Sequence, residues 1–342
     1  MEEKKIKKRI MTGIKPTNKL HLGNYIGAIK QIQEMQNNPD LEIFLFVPDL
    51  HSLTDEYNSI YDVMKAYIGI CGEDITYYVQ SQHKAIPYIA WILSCCTPYG
   101  ELKRMTQFKS KTCSKTCLEI NEIENSINSG YLYYPILMAA DILSIDADIV
   151  PVGIDQKQHI ELTRDICSHF KKKFKKDIFK KPQAMIAKAI KIMSLQDASK
   201  KMSKSDENSM ATIFLNDSAE IVERKIRRAK TDSEKMPDNV VDIRENRPEI
   251  YNLCLIYREI SGKDSFNEIE TLFKGKNISE FKIELIVKLN LFLSEIQKKM
   301  NTVTMENINQ ILQKDYEKVS RIIENKLKII ENIVFQKVFE KV

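Results

Sequence analysis

The sequence predicts an α/β fold: a doubly wound parallel sheet followed by a smaller all-helical domain. Three observations predict it. Ile43-Phe44-Leu45-Phe46-Val47 is a continuous apolar run of strand length, the pattern of a strand covered on both faces. Upstream, Arg9 to Gly13 reads as a strand that turns through Gly13 and Pro16 into Tyr25 to Met35, where Ile26, Ile29 and Ile32 recur three apart as on an amphipathic helix. Strand, helix, strand is the opening unit of a Rossmann-like sheet, whose ligands sit at the carboxyl ends of the strands. From Ser218 onward the pattern is helical, and Ile323, Leu327, Ile330, Val334 and Val338 mark one buried stripe on a long terminal helix over 319–342.

The remaining elements follow in order. Tyr61 to Cys96 reads as helical, with Ile68, Ile89 and Leu93 on apolar faces available to a partner or to the core. Asp148 to Gly153 is a later strand ending in the same crevice, and Gln156 to Phe170 a helix with Ile160, Leu162, Ile166 and Phe170 mostly on one side. Asp232 to Glu245 is the most loop-like stretch. The expected division is 1–195 for the Rossmann-like domain, 196–295 for a polar loop and helical domain, and 296–342 for C-terminal helices that pack back on the core.

With 43% hydrophobic residues in a chain of 342 a substantial core is available, and only ten glycines and ten prolines favour long helices over a loop-rich β fold. The formal charge of +5 is mild, so any nucleic-acid contact must come from local clustering. Lys171-Lys172-Lys173 and Lys175-Lys176 are such a cluster, readable as phosphate contacts or as a solvated helix end. Seven scattered cysteines form no disulfide framework, and Cys113 and Cys117 lack the second pair a zinc site needs. The charged N-terminus has no apolar run behind it, and no stretch approaches the ~20 apolar residues of a membrane span. A cytoplasmic protein without membrane contact is expected.

Two short motifs carry the chemistry. His21-Leu22-Gly23-Asn24 follows the Gly13 to Thr17 turn. A helix beginning there presents free N–H groups and a positive dipole end to phosphate. Gly23 lets a purine or ribose approach the backbone, and His21 can donate to a phosphate oxygen. Lys201-Met202-Ser203-Lys204-Ser205 brings point charges and hydroxyl donors suited to a polyphosphate. In this order the pair resembles the two nucleotide signatures, usually written HIGH and KMSKS, of class I aminoacyl-tRNA synthetases. The runs Gly100 to Lys109, Tyr133 to Leu143, Asp148 to Asp165 and Ala229 to Glu234 are similar to those of the bacterial-type tryptophanyl-tRNA synthetases.

What this resemblance implies is specific. Tryptophan would be joined to AMP from ATP and passed to the 3′ end of tRNA(Trp), with residues 196–295 holding the anticodon-binding helices and a homodimer as the assembly. The resemblance assigns His21, Lys111, Lys201 and Lys204 to catalysis. It assigns Lys15, Pro16, Thr17, Gly23, Asn24, Gly153, Ile154, Asp155, Ile192, Met202, Ser203 and Ser205, with Lys201 and Lys204, to ATP. For tryptophan it implies Asp141 as acceptor for the indole N–H, Met11, Met138, Val150 and Val152 as walls, and Gln107, Tyr134 and Gln156 around the ammonium and carboxylate.

Met11 stands where the family often has an aromatic residue, and Lys15 replaces a more usual glutamine. The stretch Thr112 to Ser129 is longer than the family pattern. No carboxylate cluster suggests a protein-held metal, so Mg²⁺ is expected to be held largely by the nucleotide phosphates. The competing readings are a tyrosyl-tRNA synthetase, a non-catalytic RNA-binding or regulatory relative, and a nucleotidyltransferase that makes a cofactor. Completeness of the lysine signature opposes the second. The helical half after Ser205 is unneeded in the third.

Overall fold

A computed structural model describes residues 7–16, 20–54, 59–113, 128–186, 190–203, 206, 208–262 and 266–339. Strand β1 (Lys8–Gly13) leads into α1 (Leu22–Asn24), a π-helical turn (Tyr25–Ile29) and α2 (Lys30–Gln36). Next come β2 (Leu41–Val47), α3 (Asp49–Ser52), α4 (Ile60–Cys71), β3 (Thr76–Val79), α5 (Ala85–Ser94), α6 (Tyr99–Lys103) and α7 (Thr106–Cys113). Helix α8 (Gly130–Ser144), β4 (Ile149–Val152), α9 (Lys157–Phe174) and β5 (Gln183–Ile186) complete the α/β part. The helical part comprises α10 (Ala219–Arg227), α11 (Pro248–Ile260), α12 (Asn267–Phe273), α13 (Ile278–Thr302) and α14 (Met305–Phe339).

Among the described residues the strands form one five-stranded parallel sheet in the order β3-β2-β1-β4-β5. The period-two alternation of strands divides their side chains between two cores. Ile10, Ile43, Leu45, Val47, Tyr77 and Val79 join α1, α2, α4 and the helical part. Met11, Phe44, Phe46, Tyr78, Val150 and Val152 join α5, α8, α9 and the far end of α14. Phe44 and Leu45, on opposite faces, are both fully buried, and burying each contributes about 1.5–3 kcal/mol. Both faces of β2 are therefore covered, as its unbroken apolar run predicts.

The segment expected to be helical from Tyr61 to Cys96 is broken by β3. Tyr77 and Tyr78 point to opposite faces and are buried, so a strand there buries both rings where a helix would have exposed one. Ile68, Ile89 and Leu93 are core residues, at 5%, 0% and 0% exposure. They offer nothing to a partner. Gly13 has a packing reason, since a Cβ there would lie 2.5 Å from the carbonyl oxygen of Phe46 on β2.

Helix α14 is longer than its sequence stripe suggested. Its 35 residues span about 52 Å, crossing from one core at Ile308 and Ile311 to the other at Val319, Ile323 and Ile330. On the way it covers the edge strand β3. Asp315 Oδ2 accepts from Tyr77 N at 2.7 Å, and Lys318 Nζ donates to Thr76 Oγ1 at 2.8 Å. An edge strand left open would be a template for association. Helix α13 runs unbroken through the expected division between 295 and 296. The lysine cluster closes the C-terminal end of α9, where positive charge complements the helix dipole; Lys171 pairs with Asp177 and Lys175 adopts the left-handed cap. Among the described residues no helix is long and apolar enough to cross a membrane.

Candidate active site

The strand order reverses direction between β1 and β4, and a crevice at such a switch point is where doubly wound sheets bind ligands. A cavity of about 620 Å³ opens there. Its apolar end is walled by Met11, Phe46, Met138, Val150 and Val152, drawn from β1, β2, α8 and β4. At this end lies Asp141, a carboxylate with no solvent exposure.

Asp141 is held by groups that sequence reasoning did not identify. Gln80 Nε2 lies 2.8 Å from both carboxylate oxygens, and His51 Nε2 lies 3.1 Å from Oδ2. Burial pushes the Asp141 pKa above the usual carboxylate range, and the His51 and Gln80 hydrogen bonds oppose that shift. Neither partner has a local signature. Gln80 is 61 residues away and His51 is 90 residues away.

The polar middle of the cavity carries Gln107, Tyr134 and Gln156. Tyr134 Oη is 2.5 Å from Gln107 Oε1 and 2.7 Å from His159 Nε2. The hydroxyl has one proton. Given to Gln107 Oε1, it leaves the oxygen to accept from an Nε2–H of His159. His159, fully buried one turn into α9, is a further residue the motifs did not single out, although it lies in the Asp148 to Asp165 run.

The cavity is also lined by Lys15, Gly23, Asn24, Gly153, Ile154 and Lys201. His21 is buried as the extended N-cap of α1, where its backbone N donates to Asn24 Oδ1 at 3.1 Å. A Cβ on Gly23 would sit 3.0 Å from the His21 ring, so this glycine serves the histidine as well as the cavity. One segment joins the two signatures. Leu22 N donates to Ile213 O at 2.9 Å, and Thr212 Oγ1 donates to Ser203 O at 2.6 Å.

Pro16, Ile192 and Met202 are buried, and Ile192 and Met202 belong to the apolar core beneath the signature loop, linked by Met202 N to Ile192 O at 2.9 Å. Thr17, Lys204 and Ser205 lie outside the described residues, as do the side chains of Lys111 and Asp155 and most of the stretch Thr112 to Ser129. Among the described residues no group of three or more His, Cys, Asp and Glu side chains could hold a metal ion.

Comparison with known proteins gives a consistent result. The family model of the class I tRNA synthetases for tryptophan and tyrosine matches residues 3–294. The tryptophan–tRNA ligase of Malacoplasma penetrans is 42% identical over 336 residues, covering 95% of this chain and 97% of that protein. The crystal structure of tryptophanyl-tRNA synthetase from Mycoplasma pneumoniae superposes with a TM-score of 0.81 at 32% identity, covering 96% of this chain and 97% of the other. That of the Campylobacter jejuni synthetase, complexed with ADP and tryptophan, gives 0.76 at 28% identity over 96% and 99%. With the parallel sheet, the switch-point cavity, both signatures and these matches along nearly its whole length, the chain belongs to the class I tRNA synthetases of the tryptophan and tyrosine type.

Proposed function

We propose that this chain is a tryptophan–tRNA ligase. It activates L-tryptophan with ATP to tryptophanyl-adenylate and pyrophosphate, then transfers the aminoacyl group to the 3′ end of tRNA(Trp). The observation that carries this reading is the single cavity that runs from a buried carboxylate among apolar walls to the lysine-bearing loop. Indole is large and apolar with one N–H, and a selective pocket for it needs apolar walls and one acceptor. Met11, Met138, Val150 and Val152 supply the walls and Asp141 the acceptor. Gln107, Tyr134 and Gln156 receive the ammonium and carboxylate.

The reaction needs no protein nucleophile. The tryptophan carboxylate attacks the α-phosphorus in line, the bond to the bridging oxygen breaks, and pyrophosphate leaves with the electron pair. Catalysis is then positioning and charge stabilisation. His21, Lys111, Lys201 and Lys204 face the moving phosphates. Lys15, Pro16, Thr17, Gly23, Asn24, Ile154, Met202, Ser203 and Ser205 cradle the nucleotide, with Gly153 and Asp155 at the ribose and Ile192 at the adenine. Mg²⁺ accompanies ATP as part of the substrate, held by phosphate oxygens.

In this reading 1–195 binds the small substrates, 196–295 carries the signature loop and the anticodon-binding helices, and 296–342 packs back on the core, with α13 continuous across the last boundary. The enzyme works in the cytoplasm as a homodimer. Support for a second copy is that exposed Leu53, Trp91 and Tyr133 line one shallow apolar depression. The reading is tested by amino-acid-dependent ATP–pyrophosphate exchange. Tryptophan should drive exchange, and tyrosine and phenylalanine only weakly; equal rates with tyrosine would replace this reading by the tyrosyl one.

A further inference from the structure

Gln80 is fully buried on the short 3₁₀ turn (Gln80–Gln82) that follows β3. Its orientation is fixed from both ends. The backbone N–H groups of Leu50 and His51 approach one end at 3.1 and 3.4 Å, and N–H groups only donate, so that atom is Oε1. The other end meets the Asp141 carboxylate at 2.8 Å to each oxygen, and an ionised carboxylate only accepts, so that atom is the Nε2 donor. Both constraints give the same orientation, and a flip would break both.

The consequence reaches the substrate pocket. Nε2 approaches between the two oxygens and so fixes the plane of the carboxylate. Oδ2 also takes His51 Nε2 at 3.1 Å, whereas Oδ1 takes Gln80 alone. The oxygen with spare acceptor capacity is therefore Oδ1. Through the same amide, the Leu50–His51 backbone that carries the His51 ring is tied to the carboxylate it touches.

We infer that Gln80 is a positioning residue for amino-acid specificity: its amide aims Asp141 Oδ1 at the indole N–H, so that selection of tryptophan over phenylalanine depends on a side chain that does not line the cavity. This rests on the reading of Asp141 as the indole acceptor. Without the Gln80 donor the carboxylate is free to turn toward His51, and it loses the hydrogen bonds that favour its charged form. Phenylalanine makes no such bond, so its rate does not depend on the aim.

The test compares wild type, Gln80→Met, Gln80→Glu and Asp141→Ala as full-length proteins in pyrophosphate exchange with tryptophan and with phenylalanine. Methionine keeps the length and removes the donor. For Gln80→Met the tryptophan KM should rise roughly tenfold at nearly constant kcat and ATP KM, and the tryptophan-to-phenylalanine ratio of kcat/KM should fall by about the same factor. A merely structural role would lower the active fraction for both amino acids and leave the ratio alone.

Gln80→Glu supplies the second readout and decides alone if the methionine variant does not fold. Protonated, the introduced carboxyl group can donate to Asp141; ionised, it sets a second carboxylate beside the first, with His51, Asp49 and Tyr78 the other titratable groups around the pair. The tryptophan KM of this variant should climb from pH 6 to pH 8.5 by about tenfold more than that of wild type. An unchanged ratio in a folded Gln80→Met, or a wild-type pH profile in Gln80→Glu, overturns the inference. If Asp141→Ala collapses the ratio while both Gln80 variants keep it, only the Gln80 inference fails. If wild type does not use tryptophan, the functional reading itself fails.

Discussion

Asn252 grips the backbone of Met193 from both sides: Oδ1 accepts from Met193 N at 2.8 Å, and Nδ2 donates to Met193 O at 2.9 Å. Met193 lies opposite Lys201 in an antiparallel bridge at the root of the second signature loop, and Asn252 is buried on α11 of the helical part. A buried side chain of the helical part thus fixes the backbone against which the loop begins. Asn252→Ala should lower kcat for adenylate formation by roughly 10- to 100-fold, because small displacements of charge-stabilising groups are costly. Tryptophan affinity, measured by equilibrium dialysis, should stay the same. An affinity loss with unchanged kcat would show that Asn252 serves the amino-acid pocket instead.

The lysines of that loop are assigned to charge that develops as pyrophosphate departs. Lys201→Ala and Lys204→Ala should each slow adenylate formation, by on the order of 3 kcal/mol or roughly 100-fold for a transition-state contact. Tryptophan binding should be nearly unaffected. Single-turnover measurements separate the two, and normal turnover with only a raised tryptophan constant would contradict the assignment.

Tyr134 makes a different prediction, since its hydroxyl joins Gln107 to His159 rather than to Asp141. Tyr134→Phe removes the joint and should weaken all amino acids alike by about 1 kcal/mol, or roughly fivefold in KM. The tryptophan-to-phenylalanine ratio should be preserved, and steady-state exchange with both substrates reads it directly. A selective loss of tryptophan would place Tyr134 in discrimination.

The C-terminal helix supplies a stability prediction. His83 Nδ1 lies 3.1 Å from Ser320 Oγ on α14, and its ring stacks on Tyr316 at 5.1 Å and meets the edge of Tyr78 at 5.4 Å. Burial lowers its pKa from 6.5 to about 4. Between those values the unfolded chain binds the extra proton and the folded chain does not, so this group's contribution to stability falls as pH drops from 6.5 toward about 4. A glutamine amide can keep the serine hydrogen bond and does not titrate. His83→Gln should therefore flatten the fall in urea midpoint between pH 7 and pH 4.5. Parallel curves for the two proteins would mean that His83 is as accessible to protons folded as unfolded.

How much of this was legible in the sequence depended on how local the signal was. β2 announced itself because burial on both faces demands an unbroken apolar run, and the two signatures are contiguous in the chain. β3 did not, because Thr76 to Val79 is only four residues long and lies between two helices, α4 and α5. β5 is a short outer strand, Gln183–Ile186, with polar and apolar residues mixed. Asp141, Met11, Met138, Val150 and Val152, named through the resemblance, do line one cavity. The supports of Asp141 were not legible: Gln80 and His51 reach it only through the sheet topology, and single polar residues in apolar surroundings carry no periodicity. His159 was inside a quoted run, but its function depends on Tyr134, 25 residues earlier.

Selection of tryptophan by Asp141 through the indole N–H is read by pyrophosphate exchange with tryptophan and phenylalanine for wild type, Asp141→Asn and Asp141→Ala. A hydrogen bond to a charged group is worth roughly 1.5–3 kcal/mol, so alanine should raise the tryptophan KM by about one to two decades and shrink discrimination against phenylalanine by a similar factor. Asparagine, which keeps an acceptor without the charge, should fall between them. If Asp141→Ala leaves the tryptophan-to-phenylalanine ratio unchanged, the carboxylate is structural and the selector lies elsewhere in the cavity.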